Sequence, residues 1–128
     1  MILGPFTTFR STFLLSFQDG YLYLIKLNLK SSIKYYFSKS DLPLFTGHID
    51  RLKAQPVHKL LADHKIEKID LKSDVKFELI KNLLVDIQLR FNFRNKEYRL
   101  SPDLGFSDYE IDYLSNALGN KMEDKRHE

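Results

Sequence analysis

The chain has 128 residues, 43% hydrophobic and 29% charged, with no cysteine and a formal charge of +3. That length suits one domain with one sizeable core, and the hydrophobic content excludes a disordered chain. The lack of cysteine excludes a disulfide framework, a thiolate nucleophile and a cysteine metal site, and it fits a reducing compartment.

Charge is uneven along the chain: residues 1–100 hold 17 Lys/Arg against 10 Asp/Glu, a balance of +7, and residues 101–128 hold 3 against 7, a balance of −4. The signs interleave rather than run in blocks, which describes a solvated mixed-charge surface on a mildly basic body. The opening MILGPFTTFR has no basic segment before its short apolar run, so a signal peptide is not expected. No run approaches the roughly 18 apolar residues of a spanning helix. The expected location is cytoplasmic.

The first element is a hairpin around Gln18-Asp19-Gly20. A two-residue Asp-Gly turn would set Phe13 against Lys26 and Gln18 against Tyr21. A three-residue loop with Gly20 left-handed instead faces Phe17 with Tyr21, Leu15 with Tyr23 and Phe13 with Ile25. Apolar cross-strand pairs favour the second register. The same logic past Lys30-Ser31-Ser32 pairs Leu27 with Tyr35 and Ile25 with Phe37, which makes residues 8–38 a three-stranded meander.

Residues 39–64 are punctuated by Pro43, Gly47 and Pro56. A short edge strand fits near Phe45–Ile49, and Pro56 followed by Val57, Leu60 and Leu61 predicts a short helix over 56–64. From Lys68 to Leu79 the alternation predicts a strand, in competition with a helix over 75–84. A turn near Lys81–Leu83 would then set Phe77 opposite Ile87 and Val75 opposite Leu89. The clearest strand runs from Val85 to Phe93, and an Asn95-Lys96 turn would align Phe93 with Tyr98 and Phe91 with Leu100.

The stretch GFSDYEIDYLSNALG carries a full set of helix signals. Ser107 is an N-cap, Glu110 completes a capping box, Phe106 and Ile111 form a hydrophobic staple, and Gly119 stops the helix. Ile111, Leu114 and Leu118 make a stripe that needs a sheet face to cover. The sequence therefore divides into one domain over residues 1–119 and a charged, frayed tail over residues 120–128.

Several antiparallel strands closed by one C-terminal helix make an α+β plan that resembles pleckstrin-homology-like domains, in particular the small bacterial PH-like and GRAM-like group. The resemblance lies in GYLYLIKLNLKSSIKYYFSKSDL and, more strongly, in IQLRFNFRNKEYRLSPDLGFSDYEIDYL, about two thirds of the chain together. It implies a strongly curved antiparallel sheet, or partly open barrel, of six to seven strands closed by the helix. Phosphoinositide-binding PH domains hold the headgroup with Lys and Arg around the first strand–strand loop. Here that loop is the short, acidic Gln18-Asp19-Gly20, with only Arg10 and Lys26 on the flanking strands, so the lipid site does not carry over.

No motif for a nucleophile elbow, phosphate loop, dinucleotide site or zinc protease is present, so neither a catalytic residue nor a cofactor or metal site is expected. His48, His58 and His64 stand ten and six residues apart, spacings that give no convergence. In Lys34-Tyr35-Tyr36-Phe37-Ser38-Lys39 the meander register buries Tyr35 and Phe37, which leaves Tyr36 as a single outward ring and a poor platform for nucleic acid. The same register places Leu14, Leu22 and Leu24 together on the outer face of the first hairpin. Two coverings are open for such a patch: the 39–64 connector, or a partner molecule. The resulting expectation is a non-enzymatic protein-interaction module whose partner is another protein or a second copy in a homo-oligomer, with Leu14, Leu22, Leu24 and Tyr36 as interface residues. The alternative is peripheral binding of the basic body to an anionic surface, lipid or nucleic acid.

Overall fold

The computed structural model describes residues 2–8, 11–28, 48–81, 87–102 and 106–126. Eight strands form one open sheet: β1 (Ile2–Thr7), β2 (Thr12–Gln18), β3 (Tyr21–Lys26), β4 (Lys65–Asp70), β5 (Phe77–Lys81), β6 (Ile87–Phe93), β7 (Lys96–Pro102) and β8 (Met122–Asp124). Their spatial order is β4-β3-β2-β1-β7-β6-β5-β8, antiparallel except for the parallel β5–β8 pair. Among the described residues three α-helices accompany them: α1 (His48–Ala54), α2 (Val57–Asp63) and α3 (Asp108–Leu118). The fold is mixed α+β with a C-terminal helix and a sheet that is not closed, as expected, but the sheet has eight strands rather than six or seven.

The first hairpin takes the two-residue turn. Asp19 and Gly20 both have positive φ, 52° and 81°, the requirement of a type I′ turn. Phe13 therefore pairs with Lys26, Leu15 with Leu24, Phe17 with Leu22 and Gln18 with Tyr21. This corrects the expected register by one residue and turns β3 over. Its other edge is occupied along its whole length by β4, with Ile25 opposite Ile66, so no meander strand pairs there. The expected strands over 33–37 lie outside the described residues.

β1 joins the sheet despite Gly4-Pro5. Its register to β2 shifts between Leu3 and Phe6, and that bulge turns both residues toward the same core. Gly4 sits at φ 124°, and a Cβ there would meet the Phe13 carbonyl oxygen at 3.0 Å. Lys53 Nζ of α1 donates to the Gly4 carbonyl at 2.9 Å.

The long strand expected over Lys68–Leu79 is broken into β4 and β5. The Asp70 carboxylate accepts from the Lys72 N–H at 2.8 Å and the Asp70 carbonyl from the Ser73 N–H at 3.0 Å, so a turn interrupts the alternation. β5 is a strand over Phe77–Lys81, but Phe77 pairs with Phe91 and Leu79 with Leu89, not with Ile87 and partners. Arg94 and Asn95, with φ 51° and 62°, form the next turn, so Phe91 pairs with Tyr98 and Leu89 with Leu100. The tail expected after Gly119 instead makes a turn of 3-10 helix, Gly119–Lys121, and β8, whose following Lys125 N–H donates to Leu79 O.

Two cores result. The larger fills the concave side of the sheet with Phe6, Phe13, Leu15, Leu22, Leu24, Ile69, Phe77, Phe91 and Tyr98, closed by Leu114 and Leu118 of α3. Its rings pack closely: Phe91 stacks on Tyr98 at 5.0 Å and Phe13 meets Tyr98 edge-on at 6.1 Å. The smaller core lies on the convex side of β2 and β3, where Leu14 and Ile25 are covered by Leu52 of α1 and Leu60 of α2. The predicted helix over 56–64 is α2, with Pro56 immediately before it; the edge strand expected near Phe45–Ile49 is overturned at His48 and Ile49, which belong to α1, and otherwise falls outside the described residues. His64 after α2 accepts the Asn28 N–H at Nδ1 (3.1 Å), which ties the helical layer to the end of β3. Burial depresses the His64 pKa, with Asp63 opposing, in keeping with an imidazole that serves as an acceptor.

The capping box of α3 forms as expected: the Glu110 N–H donates to Ser107 Oγ at 3.2 Å, and the Ser107 N–H to Glu110 Oε1 at 3.2 Å. Ser107→Ala is expected to destabilise by about 1 kcal/mol. Leu114→Ala, at a fully buried position, is expected to cost roughly 2–5 kcal/mol. Denaturant melts that give equal, negligible changes would show that α3 does not close the core.

Ser16, on the convex side of β2, is fully buried and its Oγ has no hydrogen-bond partner among the described residues. An unsatisfied buried hydroxyl costs free energy that a methyl group does not. Ser16→Ala is expected to raise stability by about 1 kcal/mol; a loss of stability in the same melt would mean that water serves the hydroxyl.

Candidate functional site

The interface expected from Leu14, Leu22 and Leu24 does not exist as a surface. Leu14 is 0% exposed in the smaller core, while Leu22 and Leu24, at 0% and 1%, lie on the opposite face in the larger one. The physical reason is the one-residue difference in hairpin register, and the covering of Leu14 is the connector's own pair of helices. Tyr36 and the Lys34–Lys39 stretch lie outside the described residues. His58 is exposed on α2, and among the described residues no three His, Cys, Asp or Glu side chains stand close enough to hold a metal ion.

What the topology does gather is charge at one end of the rolled sheet. On β3, Leu22 and Leu24 point into the larger core and Lys26 continues that alternation beyond it. On β4 the inward sequence Ile69, Glu67, Lys65 runs the same way, and on β7 it is Leu100, Tyr98, Lys96. Three strands thus leave the core at the same end with a lysine on the inward face. Lys26 and Lys65 are direct cross-strand partners. Lys96 Nζ stands 4.9 Å from the centre of the Tyr98 ring, a cation–π contact. Arg94, in the β6–β7 turn, reaches across to Glu67 of β4 at 3.3 Å.

That last contact measures the curvature. In a flat sheet β4 and β7 would be four strand spacings apart, roughly 19 Å. Rolling brings Lys26, Lys65, Arg94 and Lys96 to one rim, where Glu67 pairs with Arg94.

Beside the rim, a cleft of about 560 Å³ opens between the β1–β2 turn and β7. Thr7, Thr8 and Ser11 line one wall, Lys96, Glu97, Arg99 and Ser101 the other, with Phe13 and Tyr98 at the base. Arg99 pairs with Glu97, and among the described residues Lys96 faces the cleft with the Tyr98 ring and no carboxylate as its contact. Sequence reasoning missed this site because its cations are dispersed over seventy positions. Its signal was nevertheless present, as a lysine that ends each apolar alternation.

No protein-family model, curated protein or solved structure matches this chain.

Burial pushes the Tyr98 hydroxyl above the ordinary tyrosine pKa; Glu67 adds to the rise and Arg94 opposes it. A group whose ionisation is harder in the folded state contributes stability that is complete below the unfolded pKa of about 10 and is lost as pH rises through the folded value. Alkaline unfolding followed by far-ultraviolet circular dichroism should therefore begin above about pH 10. Tyr98→Phe should flatten that limb, and unchanged curves would remove Tyr98 from the account.

Proposed function

We propose that this protein is a non-catalytic interaction domain that takes an anionic partner at the basic end of its rolled sheet. The observation that carries the reading is the convergence of Lys26, Lys65, Arg94 and Lys96 on one rim, where Glu67 pairs with Arg94. Exposed cations grouped at an aromatic-floored opening raise the local concentration of anions and speed their association.

The curved, mainly antiparallel sheet and the capped C-terminal helix support a pleckstrin-homology-like relationship as part of the same proposal. The helices α1 and α2 and the parallel β8 are additions to that plan. A cytoplasmic location belongs to the proposal as well, on the strength of the cysteine-free composition. Among the described residues no helix is long and apolar enough to cross a membrane.

Heparin serves as a generic polyanion for the test. Lys65→Glu combined with Lys96→Glu should lower heparin affinity roughly tenfold or more at moderate salt, a change of about 1.4 kcal/mol. Lys68→Glu, on the opposite face of β4, should have a much smaller effect. Equal losses from the rim pair and from Lys68 would show that the charge acts through the whole body and not through this end.

A further inference from the structure

We propose that the partner of the basic end is an extended, acidic peptide segment, which adds a strand to the open edge of β7 between Lys96 and Leu100. This rests on the basic rim being the binding surface. Among the described residues β7 pairs with β1 at Thr7 opposite Ser101 and Phe6 opposite Pro102. β1 then ends, the Thr8 N–H donates to the Ser11 carbonyl in the turn to β2, and among the described residues no strand pairs with the remainder of that edge.

The direction of the free groups follows from the turn. A two-residue hairpin at Arg94-Asn95 makes Phe93 and Lys96 a hydrogen-bonded pair, so Lys96, Tyr98 and Leu100 direct their backbone groups to β6. Glu97 and Arg99 direct theirs the other way, on the side where Ser101 meets Thr7. Two N–H donors and two carbonyl acceptors therefore face the cleft at the spacing of a strand ladder, about 7 Å apart. Peptides that extend a sheet edge gain affinity from such groups and specificity from alternate side chains.

The chemistry of the guest follows from the base and rim. Alternate side chains of an added strand would point inward, over Phe13 and Tyr98 and toward Lys96, where a carboxylate finds an available ammonium group. Arg94, Lys65 and Lys26 continue the positive field beyond the strand's end. A phosphate headgroup offers acceptors only and would leave the Glu97 and Arg99 carbonyls open, whereas a peptide matches donors and acceptors together.

The test uses the whole chain with a blocked peptide of alternating Glu and Val, six residues long, and with heparin in parallel. Amide hydrogen exchange read by NMR should slow at least tenfold at Glu97 and Arg99 when the peptide binds. Arg99→Pro removes one donor of the open edge while leaving the β6 ladder intact, and Arg99→Ala removes the same charge but keeps the amide; Arg99→Pro should bind the peptide at least tenfold more weakly than Arg99→Ala, while the two variants bind heparin alike. If heparin binds at the rim but the peptide does not, or binds without protecting those two amides, strand addition is overturned and the basic-end reading stands. If neither binds, the basic-end reading itself fails. Binding of vesicles rich in anionic lipid in place of the peptide also overturns the proposal. Should Arg99→Pro not fold, the exchange measurement on the unaltered chain decides alone.

Discussion

Two positive φ angles, at Asp19 and Gly20, decide which side of β3 enters the main core. Side chains alternate along a strand, so a loop longer by one residue would send Tyr21, Tyr23 and Ile25 inward and Leu22 and Leu24 out. The observed turn sends the leucines in, among rings already crowded there. The tyrosines stay on the convex side, where Lys68 Nζ lies 4.1 Å from the Tyr21 ring and the hydroxyls need no partner in an apolar interior. A three-residue loop gives better-looking apolar pairs on one face. It would also bury two phenols, and that cost is invisible when pairs are scored by hydrophobicity alone.

The rest of the architecture follows from that turn. With Leu14 and Ile25 on the convex face, β2 and β3 are apolar on both sides and require a second cover, which α1 and α2 supply through Leu52 and Leu60. The other half of the sheet has no such need. Its convex side carries Glu78, held by Arg90 at 3.0 Å and by Lys125 from beyond β8. The Lys125 ammonium, assisted by Arg90, keeps that carboxyl below the usual carboxylate range against some desolvation. Partly exposed pairs of this kind contribute at most about 1 kcal/mol, so this face is solvated polar surface and not a third layer of core.

Parity explains what was legible in the sequence. The registers of β5 with β6 and of β6 with β7 differ from the expected ones by an even number of positions, so every residue kept its face. The β2–β3 register differs by one, so β3 inverted and a leucine patch that is not there was expected on the outside. The helix α3 could be read to the residue because its signals are local: a cap, a box, a staple and a stop. β1 could not, because Gly4-Pro5 imitates a loop and only the bulge, set by tertiary pairing, restores the strand. β8 is three residues long and is a strand only because β5 lies beside it.

The basic rim and the incomplete β1–β7 seam belong together. Like charges in water repel by about 1 kcal/mol or less per close pair, and salt screens them further, so a rim of four cations is tolerable only where solvent reaches it. A fully paired barrel would carry β1 down the whole of β7 and fill the cleft beside Lys96. It would also leave Glu97 and Arg99 with no open backbone groups. Because β1 ends at Thr7, the same gap leaves Lys96 at the surface, leaves the Glu97–Arg99 edge without a strand among the described residues and has Phe13 and Tyr98 in its lining. Open edge and aromatic floor are therefore consequences of one structural choice, the early end of β1, and the proposed acidic strand would meet both with Lys96 beside them.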